Sequence, residues 1–414
     1  MIPQDRTPTS RRAIDGAFRR TFLRAPRVLV RAPGRINLLG AHVDYQEGWV
    51  LPAAIDRGLW LAAAPASGKV GRIHALDLSR STALNPRELP PPRAGAPRPI
   101  SWSDYPAGVA WALRQEGLEP PAMDVVFGGD LPRESGVSSS AALEVAFLLA
   151  WRHLAGFDLP RDRIAALGRR AENSYLGVGS GIMDQLASLH GRAGHFLFLD
   201  CRDLSRDWIP LPEGVAFLVA DSGVRRKLAA SGFNDRPGEC AAAVARLRQG
   251  GWPLRALRDL APGDLAKARP LLEPTIFRRV RHVVEECDRV QRGAAALNEG
   301  ELGTFGGLVR ESHISSRDLY EVSIPELDVL AEAAWECPGV YGARLSGGGF
   351  GGCVTALLAE GAVDEAKARM VSAFESRFGR RPGVVFECRS ARGAEVFESP
   401  GMALAEEEIL GGER

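Results

Sequence analysis

Cysteine chemistry is the first thing this sequence lacks. Its six cysteines (Cys201, Cys240, Cys287, Cys337, Cys353, Cys388) are scattered singly, with no CxxC pair and no histidine at zinc-finger spacing. That excludes a disulfide frame and a zinc knot, and leaves free thiols in a reducing compartment as the expectation. Net charge is missing as well. The chain carries 52 basic and 51 acidic side chains, a balance of +1, so it offers no electrostatic footprint for nucleic acid or an anionic membrane. Long hydrophobic runs are absent too. The longest, Ala141 to Trp151, is interrupted by Glu144 and falls far short of the ~20 residues of a bilayer span. The Arg-rich N-terminus has no apolar core of a signal peptide. A soluble, cytoplasmic protein is expected, with no nucleic-acid or membrane partner. The Walker pattern GxxxxGK[ST] is also absent, which excludes a P-loop NTPase.

What is present is a core. Apolar residues make up 45% of 414 positions, and single cores stop growing at roughly 250–300 residues, so two domains are expected. Strands and helices are mixed without strict βαβ alternation, which points to an α+β class. Strands are expected at Val28–Ala32 (ended by Pro33-Gly34), Val50–Ile55, Leu59–Ala64, Met123–Phe127, His195–Leu199, Val215–Ala220, Val354–Ala359 and Val384–Cys388. Helices are expected at Tyr105–Gln115, Ser138–Leu154, Arg161–Ser174, Val363–Phe378 and through most of 239–336. Residues 1–25 suit a short amphipathic helix or a loose arm, and the Pro-rich stretch 85–99 an exposed connection. The polar and proline residues near 200–212 mark the boundary, giving domains 1–205 and 206–414.

Two glycine-rich stretches carry chemical meaning. Gly136-Val137-Ser138-Ser139-Ser140-Ala141 runs into a helix start. Small residues there present unpaired amides and the positive end of the helix dipole, which suits phosphates. By itself the loop reads equally well as an ordinary helix capped by serine. Gly347-Gly348-Gly349-Phe350-Gly351-Gly352 is so costly in backbone entropy that close approach to a ligand is the better account. A third glycine-rich segment leads to Gly181-Ile182-Met183-Asp184. Asp184 suits a proton acceptor for a hydroxyl nucleophile, with Arg35 as the cation beside it. Ser140 and Glu172 offer the oxygen ligands that Mg²⁺ prefers.

These residues resemble the GHMP kinases, and within them the galactokinase family. Gly34-Arg35-Ile36-Asn37-Leu38-Leu39-Gly40-Ala41-His42-Val43-Asp44-Tyr45 is similar to the family's sugar-binding first motif. Gly136 to Glu144 is similar to its ATP-binding second motif, and Leu345 to Cys353 to its third. Gly181 to Gln185, and Glu311-Ser312-His313 through Tyr320 to Asp328, match galactokinases in particular. The resemblance implies an N-terminal domain like ribosomal protein S5 domain 2 and a ferredoxin-like C-terminal domain. It implies transfer of the ATP γ-phosphate to the anomeric hydroxyl of a hexose, with Mg²⁺. Arg35 and Asp184 match the catalytic pair. Arg35, His42, Asp44, Gly181 and Asp184 match sugar contacts, and Ala41 and Phe233 occupy two more. Gly136, Val137, Ser138, Ser139, Ser140, Ala141, Gly348 and Gly349 match the ATP site, with Trp102 near the adenine pocket. Ser140 and Glu172 match the metal ligands.

The chain departs from the family at two sugar contacts. Galactokinases carry Glu where this chain has Ala41, and Tyr where it has Phe233. Losing such acceptors costs about 1.5–3 kcal/mol each when nothing compensates. Removing a carboxylate also relieves repulsion of an acidic sugar, and the Gly40-Ala41-His42 form resembles galacturonate kinases. Galacturonate, then arabinose, then galactose is the expected order of substrates. Arg225, Arg226 and Lys227 supply positive charge nearby or form a solvated run. A non-catalytic sugar and ATP sensor, or another GHMP activity, is the competing class.

Overall fold

The computed structural model describes residues 10–93, 100–132, 135–225 and 230–398. Its backbone forms three sheets. The first has order β13-β1-β3-β6-β4-β5. Its strands are β1 (Val28–Asn37), β3 (Pro52–Pro65), β4 (Gly71–Ala75), β5 (Arg80–Leu84), β6 (Met123–Gly129) and β13 (Glu395–Glu398). All its pairs are antiparallel except β4 with β6. The second is a small sheet of β2 (Trp49–Val50), β7 (His195–Asp200) and β8 (Arg206–Pro210). The third, fully antiparallel, has order β10-β11-β9-β12, with β9 (Val215–Asp221), β10 (Val340–Ser346), β11 (Cys353–Ala359) and β12 (Val385–Cys388).

Period-two alternation decides what each sheet face covers. On β1, β3 and β6, residues Val28, Val30, Leu61, Ala63 and Val125 face one way, toward the buried helix α3 (Ser139–Ala155). Leu29, Ala62, Ala64 and Val126 face the other way, against Ile14, Phe18 and Phe22 of α1 (Arg11–Phe22). Helices α2 (Asp104–Gln115), α4 (Arg161–Arg170) and α5 (Met183–His190) complete the α3 layer. On β9, Phe217 and Val219 join Phe305 and Val309 of α9 (Leu302–Asp318). Leu218 and Ala220 belong to the cluster holding Met370 and Phe374 of α11 (Val363–Phe378). Helices α6 (Ala230–Gln249), α7 (Leu265–Ala268), α8 (Pro274–Asn298) and α10 (Pro325–Trp335) fill the remainder.

Several expectations need correction. Pro33-Gly34 does not end β1. The strand continues to Asn37 with a register shift between Pro33 and Arg35, because a bulge absorbs the missing amide of proline. Val50–Ile55 and Leu59–Ala64 are not separate strands, since β3 runs from Pro52 to Pro65. The helix expected at 161–174 is α-helical only to Arg170, then widens into a π-turn at Ala171–Leu176. The segment 85–99 is not simply exposed. Pro90 accepts from the Tyr175 hydroxyl at 2.9 Å, and buried Arg93 donates to Asp104 at 2.5 Å. Residues 94–99 lie outside the described residues. Around 200–212 the chain makes the β7–β8 hairpin, and β13 returns the end of the described chain to the first sheet.

Candidate active site

The stretches around Arg35, Asp44, Gly136, Gly181–Asp184 and Ser346 meet at one place. The end of β1 supplies Arg35. Its guanidinium grips Asp184, at the start of α5, through Nε to Oδ1 at 2.8 Å and Nη2 to Oδ2 at 2.9 Å. The third donor, Nη1, reaches the Gly136 carbonyl at 2.6 Å. Arg35 is 3% exposed, while the Asp184 side chain keeps 30% of its surface open. A planar fork held at both oxygens fixes the carboxylate in orientation as well as in place.

The Gly136 loop is packed from two sides. A β-carbon on Gly136 would meet the Ser346 carbonyl at 2.5 Å, and one on Gly34 would meet the Val137 carbonyl at 2.6 Å. Gly136 has φ of +82° and Gly349 +71°, backbone that only glycine adopts without strain. The third motif reaches the Val322 stretch in the same way, since Phe350 N donates to Val322 O at 2.7 Å. His313 accepts from Leu345 N at 3.1 Å. The loop therefore stands at the start of α3 with its neighbours' backbone pressed against it, leaving no room for larger side chains.

Ser138 precedes α3 at φ of +59° with no side-chain capping bond, and its hydroxyl donates to Asp184 Oδ2. Ser139 and Ser140 start α3, and Ala141 is buried behind them. Glu172 hangs from the π-turn, and its hydrogen-bond partners Ser180, Gln185 and Ser140 are all neutral. Burial, and then the nearby Asp184, push its carboxyl above the ordinary range. Buried Glu172, with no cationic partner among the described residues, and half-buried Ser140 offer the oxygen donors a divalent metal prefers.

The opposite wall is the Gly40–Asp44 loop. Gly40 has φ of +93°, and a β-carbon there would strike Val50 Cα at 2.7 Å. His42 also lies at positive φ, +57°. Its Nδ1 is 2.9 Å from the Tyr45 hydroxyl, which is 2.8 Å from that of Tyr320. Asp44 receives the Tyr45 amide at 3.0 Å. Burial, reinforced by the charge of Asp184, raises its carboxyl to about 6. Gly181 makes that placement workable, because a β-carbon on it would stand 1.8 Å from Asp44 Oδ2.

Ala41 is 4% exposed. Its amide and that of Gly40 both donate to Glu286 Oε1, at 3.0 and 2.9 Å. The sequence reading missed Glu286 and His282. Their signal was there: both occupy the apolar stripe of α8 that also carries Val283 and Val290. Arg225 spends its charge on Asp221 in a two-pronged pair at 2.9 and 2.8 Å. Arg226, Lys227 and the Phe233 side chain lie outside the described residues. Trp102 precedes α2 and packs edge-on to Phe127, ring centroids 5.6 Å apart. Gly348 is partly exposed in the third loop.

Comparisons with known proteins identify the family of the chain. Residues 104–192 match the GHMP kinases N terminal domain, 294–376 the GHMP kinases C terminal, and 16–65 the galactokinase galactose-binding signature. A galactokinase of Roseiflexus sp. is 42% identical over 368 residues, 89% of this chain and 92% of that protein. One of Chloroflexus aggregans is 42% identical over 375 residues, covering 89% and 93%. The crystal structure of Lactococcus lactis galactokinase complexed with galactose superposes with a TM-score of 0.84 at 30% identity, covering 92% of this chain and 98% of that one. Methanococcus jannaschii mevalonate kinase, at 18% identity and TM-score 0.60, shares the fold.

Proposed function

The chain belongs to the galactokinase family of the GHMP kinases and is a sugar kinase; on that premise we propose that it transfers the γ-phosphate of ATP to the anomeric hydroxyl of a galactose-type sugar, with Arg35 and Asp184 as the catalytic pair. The observation that carries this reading is the two-pronged Arg35–Asp184 contact set against the Gly136 loop.

The sugar lies between Asp184 and the Gly40–Asp44 loop, with Ala41, His42, Asp44 and Gly181 around it; the family resemblance adds Phe233, whose side chain lies outside the described residues. Asp184 Oδ orients the anomeric O–H and takes its proton as the O1–P bond forms. The bond from γ-phosphorus to the β-bridging oxygen breaks, and ADP leaves with that electron pair. Arg35 holds the carboxylate and adds positive charge where the phosphoryl group passes. Amides of Gly136 to Ala141, with Gly348 and Gly349 across from them, cradle the phosphates, and Trp102 borders the adenine. Ser140 and Glu172 would hold Mg²⁺, which would neutralise charge on the phosphate oxygens. Functionally the chain divides at 205/206, with both halves lining the cleft.

Ala41 and Phe233 favour a sugar altered at C6, galacturonate or arabinose, over galactose. The test is ADP release with Mg-ATP and galactose, galacturonate, arabinose, N-acetylgalactosamine and glucose, with ³¹P NMR to locate the product phosphate. A lead of about tenfold in kcat/KM for galacturonate or arabinose, roughly 1.4 kcal/mol, supports the altered preference. A lead for galactose makes both departures neutral. No sugar-dependent ADP release, or phosphate away from C1, sinks the proposal.

A further inference from the structure

Near neighbours hold only part of the Gly40–His42 bend: Asn37 Nδ2 donates to the Gly40 carbonyl at 3.3 Å, and the Tyr45 hydroxyl is 2.9 Å from His42 Nδ1. Two side chains of α8 hold the rest. Glu286 is fully buried, and its Oε1 accepts from the amides of Gly40 and Ala41 at 2.9 and 3.0 Å and from the Ser312 hydroxyl at 2.5 Å. Its other oxygen receives Arg289 Nε at 2.7 Å. His282, also fully buried, completes the clamp at the carbonyl of the same residue, Ala41. Its Nε2 is 3.0 Å from the Ala41 carbonyl, and its Nδ1 is 2.8 Å from the Ser315 hydroxyl.

The chemistry fixes the tautomer. Burial lowers the His282 imidazole to about 4, so it is neutral near pH 7. A carbonyl can only accept, so Nε2 carries the proton and Nδ1 accepts from Ser315. Both donors and the acceptor around Ala41 are therefore used on α8. What the clamp holds is backbone that would not stay put unaided, since Gly40 and His42 both sit at positive φ.

We propose that Glu286 and His282 are positioning residues for sugar recognition: from α8 they set the bend of Gly40–His42, and so the place of the His42 ring and the Ala41 methyl in the sugar pocket. The inference rests on the sugar-loop reading above. Neither residue touches the sugar. A loop displaced by about 1 Å can lower rates by as much as ~10²-fold, so the effect falls on sugar use and spares ATP.

The experiment compares His282→Phe, His282→Gln, Glu286→Gln and His42→Ala in steady-state kinetics with both substrates varied, alongside Tm. His282→Phe keeps a ring and removes the donor, while His282→Gln restores an N–H. Expected for His282→Phe is a rise in sugar KM of roughly tenfold or more, with ATP KM within about twofold and partial recovery in His282→Gln. The order of preference among the five sugars changes as well. If the His282 variants lower Tm but leave sugar KM and preference intact while His42→Ala raises sugar KM, the clamp is only structural and the proposal is wrong. An equal rise in ATP KM also overturns it. If His42→Ala too leaves sugar KM unchanged, the sugar-loop reading fails and the clamp falls with it. Should Glu286→Gln not fold, the His282 pair still decides.

Discussion

Of the completely buried carboxyl groups among the described residues, Glu286 and Glu144 stand behind the two proposed substrate loops, one behind each, and they end in opposite states. Glu286, behind the Gly40–His42 loop, is held well below the ordinary carboxylate range, because Arg289, Arg344 and the Ser312 hydroxyl outweigh its burial. Glu144, on α3 behind the Gly136 loop, is pushed well above that range by burial and by Glu172. Its one hydrogen-bond partner among the described residues is Gln185, at 3.0 Å. The difference lies in the company each keeps. A fixed negative charge behind the sugar loop is compensated and organises backbone amides. A second negative charge behind the phosphate loop would repel the ligand proposed there, and a neutral acid does not.

The proposed catalytic pair, Arg35 and Asp184, stands between these two regions, and breaking it gives the largest expected effect. Asp184→Asn keeps the shape and removes the proton acceptor, and should lower kcat about 10³-fold, with ATP binding by calorimetry nearly unchanged. Retained turnover would move the acceptor role elsewhere.

Glu286→Gln tests the charged side of the comparison. Losing one partner of a buried, compensated network costs about 3 kcal/mol, readable in urea unfolding. The sign with pH follows. The folded-state carboxyl is depressed, so its contribution is present above the unfolded range near 4.5 and lost as pH falls below it. Glu286→Gln should therefore flatten the acid limb of stability against pH.

Asp44 tests the sugar loop itself. Its carboxyl, raised to about 6, gains a proton as pH falls through that value and loses its charge as an acceptor. Sugar kcat/KM should fall about tenfold per unit below pH 6, and Asp44→Asn should abolish that limb. A flat profile would separate Asp44 from sugar binding.

Glu144→Gln gives the smallest effect and the sharpest contrast. The acid is already neutral, so the amide should change stability by less than about 1 kcal/mol. For a raised carboxyl the native form holds the extra proton, and stability declines as pH rises above 4.5. The variant should lose that slope, opposite in sign to the one Glu286→Gln removes. A loss as large as that of Glu286→Gln would show that Glu144 is charged.

Much of this was legible in the chain. Alternating Val28, Leu29 and Val30 on β1, and Phe217, Leu218 and Val219 on β9, determine which face each strand buries. The glycines at 136 and 349 mark backbone that other residues avoid. These are local properties, set by neighbours a few positions away, and so the sequence by itself carries them. It also carries the departures at Ala41 and Phe233. Partnership was decided only by the tertiary structure. Arg35 meets Asp184 across 149 positions, and Gly40 meets Glu286 across 246. Ser138, just before α3, makes no side-chain capping bond, and its hydroxyl donates instead to Asp184, 46 positions away. Which buried acid is charged follows from the same long-range contacts, since burial and neighbouring charge, not residue type, set the protonation of Glu144 and Glu286.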